Sequence, residues 1–584
     1  MNHGGDRIAE VLVRHGVTTL FTLCGGHISP ILVGARARRI RVVDTRHEAD
    51  AVFAADAMAR LTGIPGVAAV TAGPGVTNTI TAIKNAQMAQ SPLVLLGGAT
   101  ATILKGRGSL QDIDQQSLIG PHVKWQGSAE RVADLEPLLE SAFRFAAEGV
   151  PGPVFLECPV DLLYPEAITR EFYGVQPKEG ERPPSLGKRL ERWYLDRHLK
   201  KIFRGADAPA FVPPGGGVPA LRDPIRSAVR RAAKALARSE RPLVLVGSQT
   251  MLQAVPPEEL RGALESLGAP VFLSGMARGL LGASHPLLCR HKRREALREA
   301  DCVVLLGVPN DFRLDYGRHV GRRARLVSAN RSADDLEKNR RPSIGALADP
   351  GRFLVDLAER AAGLHARWSD WLGTLRERDT TRELEIAGKT REIPAGGGLN
   401  PLTLLAGLDR FLDDSALLVA DGGDFVGTAS YVVRARSPLA WLDPGVFGTL
   451  GVGGGFALGA KLARPDAEVW VLYGDGSVAY SLMEFDTFVR HGVPVIALVG
   501  NDASWAQIAR DQVTALGDDV GTVLASSDYE LVADALGGKG ISIAHPDEIA
   551  PAFAQARVWA RSGFPVLINA RLARSDFRKG SISL

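Results

Sequence analysis

Residues 468–507 read EVWVLYGDGSVAYSLMEFDTFVRHGVPVIALVGNDASWAQ, which is the pattern of a strand, a helix and a second strand. The apolar run 468–473 ends at the turn 474–477, whose glycines let the backbone approach a phosphate closely. The run 478–489 predicts one helix, and 495–499 predicts a second buried strand. Parallel strands joined by a helix end at the same sheet edge, so we expect Asp475 and Asp502 to converge there.

Carboxylate ligands in such loops suit Mg²⁺, which usually keeps diphosphate oxygens among its ligands. The alternative is an ordinary strand-to-helix turn at 474–477. Asp475 is the middle residue of a GDG triplet, and Asp502, 27 residues later, is the second residue of an N-[ND] pair. This pattern resembles the signature of the thiamine-diphosphate-dependent superfamily of acetolactate synthase and pyruvate oxidase. The resemblance implies thiamine diphosphate and Mg²⁺ as cofactors. It implies side-chain metal ligands at Asp475 and Asp502 and a backbone ligand at Ser504, with cofactor contacts at Gly474, Asp475, Gly476, Ser477, Asp502 and Trp505. Most relatives carry Asn at position 502, and the extra carboxylate should tighten the ion.

A second group of residues lies at strand ends in the N-terminal part. Residues 46–48 (RHE) precede an Ala-rich helix at 49–60, and 71–75 (TAGPG) precede Thr77 and Asn78. This arrangement resembles the pyrimidine-binding domain of the same superfamily. There a Glu bonds N1′ of the aminopyrimidine and favours the tautomer that activates the cofactor, and this role falls on Glu48. Further cofactor contacts fall on Gly73, Pro74 and Asn78. The alternative for Glu48 is a helix N-terminal carboxylate favoured by the helix dipole.

Two neutral side chains complete the predicted catalytic group. His27 follows two glycines at a strand end, and a neutral imidazole there could exchange protons with a substrate oxygen. Gln111, in SLQD at 109–112, resembles the Phe-Gln-Glu stretch that lines the substrate entrance of acetolactate synthases. A structural loop histidine and a satisfied loop amide are the alternatives for these two residues.

The C-terminal part has two more glycine-rich loops before the metal motif. A strand at 417–420 opens on Asp421, and 445–459 reads GVFGTLGVGGGFALG. The resemblance places cofactor contacts at Gly422, Gly423, Asp424, Phe425, Gly448, Thr449 and Leu450. In relatives, the residue matching Leu450 wedges the cofactor into a bent shape, whereas the pattern alone would place Leu450 in the core.

The whole chain of 584 residues predicts an α/β fold with three doubly wound, mainly parallel sheets. We predict a pyrimidine-binding domain at 1–166, a Pro-rich linker with a basic amphipathic helix at 167–239, and a central domain at 240–365. A linker at 366–398 and a diphosphate- and Mg-binding domain at 399–584 follow. The central segments 275–281 (GMARGLL), 285–286 and 294–301 resemble the 2-hydroxyacyl-CoA and oxalyl-CoA lyase type. ADP or CoA could bind this domain, and FAD is not expected because no dinucleotide fingerprint is present.

Residues 185–203 read SLGKRLERWYLDRHLKKIF between Pro-rich pieces at 182–184 and 212–214. On a helix, Leu186, Leu190, Trp193, Tyr194, Leu199 and Phe203 can share one broad face opposite basic residues. Packing of this face on the protein itself is the preferred interpretation. A peripheral contact with an anionic membrane, a cover over the active-site mouth and a contact with a partner subunit are the alternatives.

The composition is that of an ordinary globular protein, with 23% charged residues and a net charge of +4. These values give no indication of nucleic-acid binding. The four cysteines lie far apart in the sequence, without zinc-like spacing, and predict buried thiols. The N-terminus has no apolar segment of the signal-peptide kind, and we expect a cytoplasmic protein.

The shared segments GGHISP, TRHEADAVFAADAMAR, DGGDFVGT, FGTLGVGGGFALGAK and GNDASW resemble the acetolactate-synthase-like branch that includes 2-hydroxyacyl-CoA lyases. The resemblance implies cleavage of a 2-hydroxyacyl-CoA to formyl-CoA and an aldehyde. It also implies a homodimer or homotetramer with active sites at the subunit interface. Acetolactate-type carboligation of 2-oxo acids is the first alternative, although Arg510 and Asp511 stand where that pattern expects a Trp. A non-catalytic subunit that binds thiamine diphosphate is the second alternative.

Overall fold

The computed structural model describes residues 3–175, 185–206, 209, 211, 223–361, 363, 365–394 and 397–579. The Pro-rich pieces predicted at 182–184 and 212–214 lie outside these residues. The chain divides into two compact units, Met1–Pro219 and Ala220–Leu584.

The first unit contains one sheet of six parallel strands. Its strands are β1 (Thr19–Leu23), β2 (Arg41–Asp44), β3 (Gly66–Val70), β4 (Leu93–Ala99), β5 (Trp125–Ser128) and β6 (Pro153–Pro159). Its helices are α1 (Gly4–Arg14), α2 (Ser29–Ala37), α3 (Glu48–Thr62), α4 (Pro74–Thr77), α5 (Ile80–Ala89), α6 (Gln115–Ile119), α7 (Leu135–Ala147), α8 (Val160–Leu163), α9 (Glu166–Phe172) and α10 (Leu186–Ile202). The strand order is β2-β1-β3-β4-β6-β5, so the direction of winding reverses between β1 and β3.

The second unit contains two further parallel sheets. The five-stranded sheet has the order β11-β10-β9-β7-β8, with strands β7 (Pro242–Val246), β8 (Val271–Leu273), β9 (Cys302–Leu306), β10 (Arg325–Asn330) and β11 (Ile344–Leu347). Its helices are α11 (Arg226–Ala237), α12 (Pro257–Leu267), α13 (Arg293–Glu299), α14 (Ala333–Glu337), α15 (Pro350–Ala361) and α16 (Ser369–Lys389). Helix α16 contributes Trp371 and Leu375 to the core beside this sheet.

The third sheet has six strands in the order β13-β12-β14-β15-β17-β16. They are β12 (Leu417–Asp421), β13 (Trp441–Leu442), β14 (Val469–Gly474), β15 (Ile496–Asn501), β16 (Lys539–Ile543) and β17 (Val566–Arg571). The helices are α17 (Pro401–Phe411), α18 (Asp424–Val432), α19 (Val452–Ala463), α20 (Asp475–Ser481), α21 (Glu484–His491), α22 (Ala506–Leu516), α23 (Tyr529–Ala535) and α24 (Pro546–Arg561). Three parallel α/β sheets confirm the predicted fold class. Strands β4, β9, β14 and β15 are buried along nearly their whole length, which explains their continuous apolar sequences.

The prediction of one helix over 478–489 was wrong in detail. The structure has α20, which begins at Asp475, and α21, with Leu482 and Met483 between them. The N–H of Phe485 donates to the carbonyl of Leu482, and the N–H of Asp486 donates to the carbonyl of Met483. Tighter turns with hydrogen bonds between residues i and i+3 therefore replace α-helical hydrogen bonds at the break. Gly492 ends α21 in the left-handed conformation, as its place in the sequence predicts.

The single broad apolar face expected for 185–203 is in fact two faces of α10. Leu199 and Ile202 are buried in the core of the first unit, whereas Leu186, Leu190, Trp193 and Tyr194 are 53–74% exposed. Leu199 lies nine residues after Leu190, which is two and a half turns at about 3.6 residues per turn, so the two side chains point in opposite directions. The helix packs on the protein, as preferred, through Leu199 and Phe203 of the predicted face, whereas the other four residues of that face are exposed.

In the described ranges, no helix combines the length and the apolar character that crossing a bilayer requires. Three of the four cysteines are buried, as predicted. Cys24 is exposed, because it lies in the loop after β1 rather than within the strand.

Candidate functional site

Glu48 lies where the loop after β2 enters α3, and it is the first residue of that helix. The side chain of His47 caps the helix by accepting the N–H of Ala49 at 3.1 Å. Glu48 is only 7% exposed, and its Oε2 accepts a hydrogen bond from Nδ2 of Asn78 at 3.0 Å. Among the described residues, no donor reaches Oε1. The structure thus brings together two predicted residues and leaves one carboxylate oxygen for a ligand.

Gly73 and Gln111 also meet at this edge of the first sheet. Gly73 has φ +60°, and a Cβ there would lie 2.7 Å from the carbonyl oxygen of Gln111. Pro74 then begins α4. Gln111 itself has φ +63°, a strained conformation for a residue other than glycine. The predicted contacts Gly73, Pro74 and Gln111 are therefore neighbours.

Gln115 organises this edge, and the sequence patterns did not identify it. Its buried amide accepts the N–H of Gly73 at 2.8 Å and donates to Oε1 of Glu157 at 3.0 Å. Nζ of Lys105 and Oγ of Ser128 donate hydrogen bonds to Oε2 of Glu157. A pocket of about 420 Å³ opens here, lined among others by Lys105, Gln111, Gln115 and Glu157. No local sequence signal could have indicated this role, because Gly73 and Glu157 each lie 42 residues from Gln115.

His27 follows β1 and bonds Thr71, which follows β3. Its Nδ1 lies 3.1 Å from Oγ1 of Thr71. Burial lowers the pKa of His27 below its ordinary value, so the ring is neutral near pH 7. The reversal of winding between β1 and β3 places both residues in the crevice where open α/β sheets bind ligands.

In the second unit, Asp475 and the loop after β15 carry the residues predicted to ligate a metal ion. Asp475 is 3% exposed, and it accepts the N–H of Gly476 at 2.8 Å and that of Ser504 at 3.1 Å. Burial, together with the nearby charges of Asp475 and Asp424, raises the pKa of Asp502 to about 7. Burial also raises the pKa of Asp475. A buried carboxylate beside a second carboxylate whose pKa its charge raises fits a site for a hard divalent cation.

The backbone of this loop is strained. Ala503, between Asp502 and Ser504, has φ +52°. Such conformations occur where the surrounding structure holds a functional geometry. The ring of Trp505 lies against Gly476, where an added Cβ would be 2.4 Å from it. Close contact between the loops after β14 and β15 therefore requires glycine at position 476.

The end of β12 supports the glycine-rich loop before α19 through a second residue that the patterns missed. Asp421 is fully buried, and it accepts the N–H of Gly451 at 3.1 Å and that of Gly453 at 2.8 Å. Burial raises its pKa to about 7. Leu450 is half-buried on the loop that Asp421 holds and is not a core residue. Oγ1 of Thr449 donates to the carbonyl of Leu450 at 3.0 Å, and Gly448 is exposed.

The loop after β12 approaches the metal motif directly. A Cβ on Gly422 would lie 2.9 Å from the backbone nitrogen of Gly474, and Oγ of Ser477 donates to the carbonyl of Asp421 at 2.5 Å. A Cβ on Gly423 would be 3.1 Å from the side chain of Gln507. This is the point where the winding of the third sheet reverses.

Two other predicted contacts have partners inside the protein. Asp424 forms an ion pair with Arg510 at 2.6 Å. Phe425 is buried in the core and packs against Gly500.

Family models of known proteins match three segments of the chain. The family models for the N-terminal TPP-binding, central and C-terminal TPP-binding domains of thiamine pyrophosphate enzymes match residues 2–118, 229–357 and 421–570. The chain belongs to the thiamine pyrophosphate enzyme family.

Curated relatives cover the chain from end to end. The 2-hydroxyacyl-CoA lyase 2 of Danio rerio is 50% identical over 590 residues, which cover 100% of this chain and 93% of the relative. The human 2-hydroxyacyl-CoA lyase 2 is 49% identical over 594 residues, with 100% and 92% covered. The acetolactate synthase large subunit IlvG of Mycobacterium tuberculosis is 35% identical over 569 residues, with 97% and 95% covered.

Proposed function

We propose that this chain is a thiamine-diphosphate- and Mg²⁺-dependent carbon–carbon lyase that cleaves a 2-hydroxyacyl-CoA to formyl-CoA and an aldehyde. The observation that carries the proposal is the full-length identity of 50% to a protein named 2-hydroxyacyl-CoA lyase 2. The acetolactate synthase relative reaches 35%. The ion pair of Arg510 with Asp424 adds support, because Arg510 occupies the region where the acetolactate synthase pattern expects a Trp.

The two half-sites suggest how the chain would hold its cofactors. Asp475 and Asp502, with the carbonyl of Ser504, would ligate Mg²⁺, and the glycines around 474–477 would face the diphosphate. Glu48, fixed by Asn78, would present its second oxygen to the aminopyrimidine. When bound, thiamine diphosphate supplies a carbon centre that stabilises negative charge on the substrate carbon.

In the proposed reaction the bond between C1 and C2 of the substrate breaks, the 2-hydroxyl loses its proton and the formyl carbon gains one. His27 is suited to the first transfer, because its neutral ring can accept a proton from a hydroxyl. Gln111 could bind the substrate carbonyl by donating a hydrogen bond. The reaction needs no oxidant, since the proton lost by the hydroxyl balances the one gained by formyl-CoA.

The experiment has two parts. Enzyme loaded with cofactor and Mg²⁺ is incubated with a 2-hydroxyacyl-CoA and, separately, with pyruvate, and the products are identified by mass. We expect formyl-CoA and an aldehyde from the first. Acetolactate from pyruvate, without cleavage of the C1–C2 bond of the 2-hydroxyacyl-CoA, would replace the proposal with the carboligase alternative. If neither product forms although the protein binds thiamine diphosphate, the alternative of a non-catalytic subunit that binds thiamine diphosphate would be favoured.

The second part tests Glu48. Glu48→Gln should bind thiamine diphosphate but slow hydrogen–deuterium exchange at thiazolium C2 by about 10²–10⁴-fold, the usual contribution of a positioned acid or base. Glu130→Gln, at an exposed position, is the control and should exchange like the wild type. Wild-type exchange in Glu48→Gln would remove the proposed role.

The proposal includes a homodimer or homotetramer. It rests on the superfamily, in which the Glu and the metal motif that serve one cofactor come from different subunits. A fully active monomer in sedimentation would exclude it.

A further inference from the structure

Helix α10 has one apolar face that the fold leaves uncovered. Its four residues, each more than half exposed, are Leu186, Leu190, Trp193 and Tyr194. At about 100° of rotation per residue, the four side chains share a sector of roughly 100° of the helix surface. Single exposed apolar residues are common on proteins, whereas a contiguous exposed group marks an interaction surface. We call these four residues the outer face of α10.

The helix is fixed to the first unit by its opposite side. Leu199 is buried in the core of that unit. Nε2 of His198 lies 2.9 Å from Oγ1 of Thr102. Asp196 accepts a hydrogen bond from Nη1 of Arg170 at 2.7 Å. Rotation of the helix to bury its outer face would break these contacts, so a partner has to bind the outer face as it stands.

Three cations continue the outer face along the last turns of the helix. Arg197, Lys200 and Lys201 are exposed and lie within about 65° of the centre of the face. Cζ of Arg197 is 5.7 Å from the centre of the Trp193 ring, so the first cation stands directly beside the apolar group. The surface of α10 that faces solvent therefore has an apolar half followed by a basic half.

The acidic residues of α10 lie away from this surface. The helix is described over its whole length, and its two acids, Glu191 and Asp196, lie about 100° or more from the centre of the outer face. Asp196 is also paired with Arg170 at 2.7 Å and with Lys200 at 2.8 Å. Because Arg197 and the other cations outnumber these acids, the surface carries net positive charge and matches an anionic partner.

This combination of groups fits a lipid surface better than a second copy of the chain. In a twofold contact the same patch meets itself, so the three cations would face their own copies and repel them. An amphipathic helix with Lys and Arg beside its apolar face lies instead in the plane of a membrane interface. Trp and Tyr favour the same boundary, and anionic headgroups attract the neighbouring cations.

We propose that the outer face of α10 docks on the surface of a bilayer that contains anionic lipids. The four apolar side chains enter the boundary between headgroups and acyl chains, and the three cations bind the headgroup phosphates. The helix lies along the surface, because its other side stays packed in the core of the first unit. Docking of this kind does not depend on which reaction the chain catalyses.

Flotation of the full-length protein with lipid vesicles measures this docking. We expect binding to vesicles of phosphatidylcholine mixed with phosphatidylglycerol, and weaker binding to phosphatidylcholine alone. High salt should weaken binding to the mixed vesicles, because it screens the cations. The double variant Leu190→Ser with Trp193→Ser should bind them about 10- to 100-fold more weakly, since two apolar side chains no longer leave water. Arg197→Gln and Lys201→Gln should each weaken binding by about 5-fold.

Two substitutions on α2 are the matched controls. Val33 is 62% exposed, and Arg36 is exposed as well. Val33→Ser removes an apolar side chain and Arg36→Gln removes a charge, both outside α10, and neither should change vesicle binding. Since every substituted residue is exposed, all variants should melt like the wild type. Differences in vesicle binding then do not come from unfolding.

Several results would overturn the proposal. They include no binding of the wild type to either kind of vesicle, and equal binding to both kinds at low and high salt. Wild-type binding by the double variant of Leu190 and Trp193 would reduce the contact to adsorption by charge alone. Tighter binding of polyglutamate than of the mixed vesicles, lost in the double variant, would assign the outer face to an acidic protein. A smaller assembly of the double variant in sedimentation equilibrium, without vesicle binding by the wild type, would assign it to a subunit contact.

Discussion

Replacing Gly476 with Ala adds one methyl group at the closest contact of the candidate metal site. The added Cβ would lie 2.4 Å from two carbons of the Trp505 ring and 2.8 Å from a third. Carbon atoms pack comfortably at about 3.5–4.0 Å, so the ring must retreat by about 1 Å or more. Trp505 directly precedes α22 and follows Ser504, whose N–H bonds Asp475 at 3.1 Å. The displacement therefore reaches the metal loop.

Overpacking of this kind costs about 1–3 kcal/mol. Because the chain has several sheets, global unfolding need not be two-state, and hydrogen exchange of the amides in β14 and α20 gives the local free energy of opening. We expect Gly476→Ala to lower that free energy by about 1–3 kcal/mol. It should also raise the Mg²⁺ concentration needed for half-saturation.

Two further variants make the test specific. Trp505→Leu removes the ring, so adding Gly476→Ala to it should cost at least about 1 kcal/mol less than in the wild type. Gly262→Ala in α12 is the matched control: a Cβ there meets nothing within 4 Å, and the change should be neutral or stabilise by up to about 1 kcal/mol. Wild-type exchange and Mg²⁺ response in Gly476→Ala would refute the described contact.

Two other predictions test the first unit and the metal site. Leu199→Ala should lower the free energy of unfolding by about 2–5 kcal/mol, whereas Leu190→Ala, at 61% exposure, should change it by no more than about 0.5 kcal/mol. The unfolding midpoint of the first unit measures both effects. Equal effects of the two substitutions would contradict the orientation of α10. In metal-free protein, Asp502 has a folded pKa of about 7, above its unfolded value of 3.8, so its stabilising effect is present below pH 4 and is lost as the pH rises through 7. Asp502→Asn should therefore make metal-free protein more stable than the wild type at pH 8 but not at pH 4, while Mg²⁺ should stabilise the variant less than the wild type. Melting curves at both pH values, with and without Mg²⁺, measure these differences. A variant that is less stable than the wild type at pH 8 without Mg²⁺ would contradict the prediction.

Most of the strands that the sequence patterns missed lie at the edges of the sheets. Strands β14 and β15 lie inside the third sheet, and continuous apolar sequence predicted both of them. The patterns did not predict β5, β11, β13 and β16, which lie at sheet edges, nor β17, which lies inside the third sheet. An edge strand pairs on one side and is partly open to solvent, so its sequence need not be apolar.

The candidate site divides in the same way. Glu48, Gly73, Asp475 and Asp502 could be predicted because each follows a recognisable strand. Gln115 and Asp421 could not, since their partners Glu157 and Gly453 are 42 and 32 residues away and no local pattern links them.

The sequence by itself determined the three parallel sheets and the loops that carry the chemistry, because apolar runs and glycines act over a few neighbouring residues. The tertiary structure alone decided which face of α10 is buried, which buried amide holds Gly73, and that Asp424 pairs with Arg510. Charge pairing and burial depend on segments that meet only after folding, and single-sequence patterns contain no measure of that distance.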